Sequence, residues 1–295
     1  MSQPPVLLAV PNVSEGADRE TIDAIAAAFA PAQLLDVHSD PDHGRSVFTL
    51  AARQGDLAGA LVAGAREAAA RIDLRAHAGA HPRVGAIDVT PVVYLEEVDR
   101  GAASAEALTA AALIGAELGL AVFLYGDLAT SDDRRERAAL REGGLENLAQ
   151  RVAAGELEPD YGPFAVDPRS GAVLVTARPP LVAFNVDLAS DDVELARRIA
   201  AELRESGGGR PGVRAIGLAL PQRGRVQVSF NVHDHRTAPL AELVAEVAAR
   251  APIAEAELVG LAPAAALDGF PSDVPLRGFD PEGHLIENAL RSLDL

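Results

Sequence analysis

One order of local signals occurs twice along the chain and constrains its fold more than any other feature: strand, helix, strand, strand, helix, strand. In the first half, Val6 to Pro11 is a short apolar run closed by proline. Asp18 stands as the cap of a helix over Arg19 to Ala30, with Ile22, Ile25, Ala26 and Phe29 along one face. Leu34 to His38 and Ser46 to Ala52 read as strands on either side of a turn built from Asp40, Pro41, Asp42, His43 and Gly44. Gln54 to Asp73 follows as an Ala- and Leu-rich helix, and Val84 to Leu95 as a β-branched strand. The second half begins with a strand over Leu181 to Val186 and a helix over Asp191 to Glu205, capped by Ser190 and stopped by Gly207, Gly208 and Gly209. Val213 to Leu220 and Arg225 to Val232 form a hairpin across Pro221 to Gly224. Pro239 opens a helix to Arg250, and Ala256 to Leu261 closes the set.

Two βαββαβ units predict an α+β fold of two ferredoxin-like subdomains. A sheet of this kind carries helices on one face, so its other face needs a cover, and the sibling sheet is the economical one. The expectation is two sheets facing each other across a cleft. The expected division is 1–178, which adds a helix, a strand over Ala121 to Tyr125 and a loop-rich connection, and 179–295, which ends in an amphipathic closing helix over Leu276 to Leu295.

Composition removes several function classes. At 48% hydrophobic, the 295-residue chain can bury a core. Asp and Glu number 43 against 26 basic residues, all arginine, for a net charge of −17, so a broad nucleic-acid face is excluded. Aromatics at 4% offer no stacking platform for bases, and the absence of Cys removes disulfides, thiolate metal sites and thiol nucleophiles. The N-terminal MSQPPVLLAV lacks the basic region of a signal peptide. The longest apolar stretch, Ala110 to Tyr125, is broken by Gly115, Glu117 and Gly119, short of the roughly 18 residues of a membrane span. A cytoplasmic chain with no membrane partner is expected.

Three polar clusters could carry chemistry. RAHAGAHPRVGAID, Arg75 to Asp88, holds His77, His81, Arg83 and Asp88, and histidine suits general acid–base work near neutral pH. Gly79 and Pro82 put the histidine pair on a loop, so a helical zinc pair is excluded. The plain alternative is that these histidines satisfy local backbone groups. DVHSDPDHGR, Asp36 to Arg45, is either a solvated turn or a second wall of a site through His38 or Asp40. PNVSEG, Pro11 to Gly16, contributes Asn12 and Glu15 at a helix start, where backbone amides also favour anions. Asn185 and Asn231 are read as ending strands in the second half. His233 and His235 follow, a metal pair only if they continue a strand; no third ligand is marked, and no metal is expected. No Gly-x-Gly-x-x-Gly after a strand, no P-loop and no nucleophile elbow is present.

Seven segments in order resemble the glutamate formiminotransferase family: VPNVSEG (Val10 to Gly16), LLDVHSDPDHGRSVFTL (Leu34 to Leu50), HAGAHPRVGAIDV (His77 to Val89), VFLYG (Val122 to Gly126), PDYGP (Pro159 to Pro163), ARPPLVAFNVDL (Ala177 to Leu188) and ELVGLAP (Glu257 to Pro263). The resemblance implies transfer of the formimino group from N-formimino-L-glutamate to N5 of tetrahydrofolate in histidine degradation. Tetrahydrofolate would be co-substrate, and no metal would take part. It further implies two ferredoxin-like subdomains around a substrate tunnel, a homodimer, and a stand-alone form served by a separate cyclodeaminase. The family's general base falls on His81. Its folate-binding stretch falls on Asp160, Tyr161, Gly162 and Pro163 and continues to Gly171. One position departs from the pattern: where animal members carry a supporting Asp, this chain has His38, so that His38 takes the role, Asp40 substitutes, or the role is dispensable.

The implied chemistry needs a proton taken from the attacking nitrogen and one returned to the leaving glutamate nitrogen, and one histidine can do both in turn. A carboxylate such as Glu15, Asp40 or Asp88 would stabilise the protonated formimino group, and Arg45, Arg83 and Arg178 are the candidates for carboxylate recognition. Two other readings stay open. Relatives on the same fold act as 5-formyltetrahydrofolate cyclo-ligases or take N-formylglutamate as donor, and a paired ferredoxin-like protein could bind amino acid or folate without turnover.

Overall fold

The computed structural model describes residues 3–291 and 293, which form two compact units parting between Pro179 and Pro180. In the first unit, β1 (Val6–Ala9) and β2 (Asn12–Val13) are two pieces of one sheet strand. Pro11 has no N–H to give to a ladder. Continuity is kept around it by Val10 N–H donating to the Pro91 carbonyl and Phe48 N–H donating to the Pro11 carbonyl, both at 3.0 Å. The strand expected to stop at Pro11 therefore resumes as far as Val13.

α1 (Arg19–Ala28) is capped by Asp18, whose side chain accepts from the Glu20 N–H, as the sequence suggests. β3 (Gln33–Asp40) and β4 (Arg45–Arg53) follow, then α2 (Leu57–Arg71), β5 (Ile87–Val93), α3 (Arg100–Leu118) and β6 (Ala121–Leu124). Two short helices, α4 (Arg137–Arg141) and α5 (Gly144–Ala153), precede β7 (Ala172–Arg178). The sheet has seven strands in the order β3, β4, β1 with β2, β5, β7, β6. β7 runs parallel to both β5 and β6. The connection read as loop-rich thus contains a central strand and two more helices.

Side-chain alternation sorts this sheet into two cores. Val122, Leu124, Val173, Val175 and Ala177 face α1 to α3, together with Phe48 and Leu50; Ile22, Ile25, Leu61 and Ile114 meet them from the helices. Phe29 and Phe48 pack with ring centroids 5.3 Å apart, and each fully buried side chain of this size contributes about 1.5–3 kcal/mol. Ala121, Phe123, Ala172 and Leu174 point the other way, against Leu140, Leu148 and Val152 of α4 and α5. Helices therefore cover both faces at this end, against the expectation of one helical face. Arg45 opens β4 and Asp88 is the second residue of β5. The register of Asn12 with Val47 and with Val89 brings these strand starts level on either side of β2.

The second unit comprises β8 (Val182–Leu188), α6 (Val193–Leu203), β9 (Val213–Leu220), β10 (Arg225–Val232), α7 (Leu240–Ala248) and β11 (Ile253–Val259). Its antiparallel sheet has the order β11, β8, β10, β9. The cap of α6 is Asp192, which accepts from Glu194 and Leu195 N–H, while Ser190 Oγ accepts from Asp192 N–H one turn earlier. α7 begins one residue after Pro239. Phe184, Val228 and Phe230 face Ile199, Leu203, Leu243 and Val247. On the other sheet face Gln227 Nε2 donates to Asp187 Oδ1 at 2.7 Å, and Asn185 Nδ2 donates to Glu257 Oε2 at 3.1 Å.

Asn185 lies mid-strand, and Asn231 lies one residue before the end of β10. His233 and His235 fall beyond the end of β10, so strand alternation does not align their rings. The closing helix is two short pieces, α8 (Pro281–His284) and α9 (Ile286–Arg291). Residues 276–280, expected to be helical, are not, and positions 292, 294 and 295 lie outside the described residues.

Candidate active site

Two of the polar clusters read from the sequence fold against one another at the starts of β4 and β5. Asp40 Oδ1 accepts from His43 N–H at 2.9 Å and shapes the turn before β4. The loop over residues 77–83 lies on that turn: Ala80 N–H donates to the Asp42 carbonyl at 3.0 Å, and His77 Nε2 donates to the Gly44 carbonyl at 2.8 Å. Arg83 braces the loop from within, through Nη2 to the His77 carbonyl at 2.9 Å and Nη1 to the Gly79 carbonyl at 3.3 Å. The third cluster closes in on the same place. Gly16 sits so near the turn that a Cβ there would lie 2.1 Å from the Asp40 carbonyl oxygen, a contact only glycine avoids. Ser14 Oγ donates to the Gly85 carbonyl at 2.7 Å.

These segments meet at a small, partly open dent lined by Val13, Ser14, His43, Gly44, Arg45, His81, Arg83 and Asp88. His81 is half-buried there, its ring centroid 5.8 Å from that of buried His43. Nδ1 of His81 lies 2.9 Å from the Pro82 carbonyl and 2.6 Å from Arg45 Nη1, which stands 2.9 Å from Nε2 as well, so the guanidinium sits against the imidazole ring. Arg45 is oriented in turn by its Nε donating to Asn12 Oδ1 at 2.8 Å, and Asn12 by Nδ2 donating to the Val10 carbonyl at 2.7 Å. Behind Arg45, Asp88 Oδ1 accepts from Val84 N–H at 2.8 Å. Asp88 Oδ2 accepts from Arg141 Nη2 and lies 3.9 Å from Arg45 Nη2.

The electrostatics follow from this crowding. Burial first, and then the Arg45 and Arg141 cations, hold His81 well below its ordinary value of 6.5, so the ring is neutral at neutral pH. Burial lowers His77 as well. Arg45 is pulled down to about 9 by burial and by Arg141, with Asp88 opposing, and remains a cation at neutral pH. The arrangement is a neutral imidazole held against a guanidinium.

The expected site residues divide into those brought here and those placed elsewhere. His81, Arg45, Arg83, Asp88, Asn12 and the backbone of Asp40 assemble. His38 is two residues before Asp40 on β3, opposite Val47 of β4. Glu15 turns its carboxylate to its own loop, accepting from Ala17 and Asp18 N–H at 2.7 and 2.9 Å. Arg178 ends β7 level with Val93 and donates to the Pro179 carbonyl at 2.9 Å. Asn185 and Asn231 belong to the second unit. Asp160 is consumed by the fold: its carboxylate accepts from Leu124 N–H at 2.7 Å, Thr130 Oγ1 at 2.7 Å and Arg134 Nη1 at 3.1 Å. Tyr161 pairs with Val122, Gly162 presses on the Leu120 carbonyl, and Pro163 follows on the surface.

Gly171, at the far end of that stretch, bridges to Gly85 in the segment leading into β5. Arg141 and His43 are the site residues the sequence reading did not select. His43 sat inside a flagged cluster, whereas nothing in the sequence distinguishes Arg141 from Arg134, Arg135 or Arg137 nearby. Among the described residues no group of three His, Cys, Asp or Glu could hold a metal ion, and no helix is long and apolar enough to cross a membrane.

Comparison with known proteins accounts for nearly the whole chain. Residues 6–178 match the family model described as the formiminotransferase domain, N-terminal subdomain, and residues 183–269 match the formiminotransferase domain. A glutamate formimidoyltransferase of Thermoplasma acidophilum is 37% identical over 95% of this chain and 96% of its own length. One from Streptococcus pyogenes serotype M1 is 35% identical over 95% of this chain and 97% of its own. The formimidoyltransferase-cyclodeaminase of Sus scrofa is 40% identical over 88% of this chain, which corresponds to 50% of that longer protein.

Proposed function

The chain belongs to the formiminotransferase family and is a transferase, and from that premise we propose that it moves the formimino group of N-formimino-L-glutamate to N5 of tetrahydrofolate, releasing L-glutamate in histidine degradation. One observation carries this reading: the neutral His81 ring packed beside Arg45 where the three clusters meet. His81 takes the proton of the attacking nitrogen and hands it to the leaving glutamate nitrogen, a role worth about 10²–10⁴-fold in rate. Arg45 and Arg83 hold the donor's carboxylates, with Arg45 swinging from the imidazole to the carboxylate as the donor enters, since an anion is a stronger partner than a neutral imidazole.

The lining of this dent is far smaller than a pocket that encloses a drug-sized ligand, so both donor and folate need further surface. In this reading the 160–171 stretch supplies part of it. Its Gly171 end is joined to Gly85, while its Asp160 end serves to tie the stretch to β6. Either His38 or Asp40 supports the base from the β3 side. Each unit is a ferredoxin-like core, a reading supported in the second by the strand order β11, β8, β10, β9. The protein works as a cytoplasmic homodimer. The test is direct turnover: purified protein with formiminoglutamate and tetrahydrofolate, followed by glutamate release, alongside N-formylglutamate with tetrahydrofolate and 5-formyltetrahydrofolate with ATP. Fastest turnover in the first arm is expected. Preference for either other arm replaces the reaction, and binding without turnover in any arm overturns it.

A further inference from the structure

Asp88 cannot serve as a free acid or base: Val84 N–H holds one oxygen, and Arg141 takes the other at closer range than Arg45, which stands 3.9 Å away. Arg141 itself is buried, projecting from α4 with its Nε lacking any partner. Two buried guanidinium groups thus share one carboxylate, and the more remote of them faces His81. Were Arg141 absent, Asp88 would be open to a two-pronged pairing with Arg45, the geometry carboxylate and guanidinium favour, which draws Arg45 off the imidazole.

We infer that Arg141 is a positioning residue: by taking up Asp88 it leaves Arg45 free to face His81 and to receive the donor's carboxylate. The inference rests on the reading of His81 as the base. It assigns α4 a part in the reaction, although Arg141 lies 53 positions from Asp88 in sequence.

Arg141 also adds positive charge that disfavours protonation of His81. The groups bearing on that ring are Arg45 from β4, Arg141 and Arg137 from α4, His43 from the turn before β4, Asp88 from β5, and His77 and Arg83 in its own loop. Removing Arg141 lessens that charge and lets Asp88 neutralise Arg45, and both changes make the imidazole more basic.

The experiment compares kcat/KM against pH for the unaltered protein, Arg141→Gln, Arg141→Met and Arg141→Lys, using formiminoglutamate and tetrahydrofolate. The acid limb moves to higher pH by about one unit in both neutral variants, and stays in place in the lysine variant, which keeps the charge. An unmoved limb in the neutral variants overturns the inference even if kcat falls, because a purely structural role lowers activity without retuning the base. His81→Ala separates the two levels of the argument. Full activity there removes the base itself, whereas an inactive His81→Ala with an unmoved Arg141→Gln limb removes only the role of Arg141.

Discussion

Replacing Asp88 by Asn tests how much of the first unit hangs on one buried carboxylate. Asp88 is 2% exposed and serves Val84 N–H, Arg141 and Arg45 together. An asparagine must keep its oxygen toward the Val84 N–H, which turns its NH₂ toward two guanidinium groups that can only donate. The arginines are then left buried without a counter-ion, a loss of about 3–5 kcal/mol. For a unit of this size that corresponds to a fall of roughly 6–20 °C in melting temperature.

The control is Glu117→Gln, which breaks the Arg66–Glu117 pair at 2.7 Å between half-exposed side chains and is expected to cost under about 1 kcal/mol. Urea unfolding followed by circular dichroism measures both. Arg141→Met added to Asp88→Asn costs less than the sum of the two, because one change removes the partner the other has already orphaned. Equal, small losses for Asp88→Asn and Glu117→Gln refute the reasoning, since the carboxylate would then carry no buried charge.

Two further outcomes follow from the same geometry. Because the His81 midpoint is depressed in the folded chain, the unfolded chain binds a proton first as pH drops below 6.5. Stability is therefore lost from that pH downward, and urea unfolding at pH 7.5 and 5.5 shows a smaller loss in His81→Ala than in the unaltered protein. Arg83→Gln removes both the loop brace to the His77 carbonyl and a charged donor in the pocket, and raises KM for the glutamate donor by about 10–100-fold with a smaller change in kcat. A change confined to kcat assigns Arg83 to the transition state instead.

The parts of the fold legible in the sequence are those where local signals are unopposed. The β9–β10 hairpin lies where the alternation and the Pro221 to Gly224 turn place it, and Asp18 caps α1. β7 escaped because a parallel strand buried on both faces reads as an apolar run without alternation, and Ala172 to Arg178 stands among Gly and Pro residues that signal loop. Its presence pulls α4 and α5 onto a face expected to be free of helices. In the site, the 36–45 and 75–88 clusters were visible because polar residues concentrate there, and the turn and loop meet through Ala80 and His77. Arg141 was not visible because its meaning is a single contact with Asp88, and pairing across 53 positions leaves no trace in spacing.

The most direct measurement is the rate of glutamate release from formiminoglutamate and tetrahydrofolate by His81→Ala, checked for an unchanged far-ultraviolet spectrum. A fall of about 10²-fold or more at full folding is the predicted result, the share of rate a positioned base supplies. A folded variant that turns over as fast as the unaltered protein contradicts the account at its root.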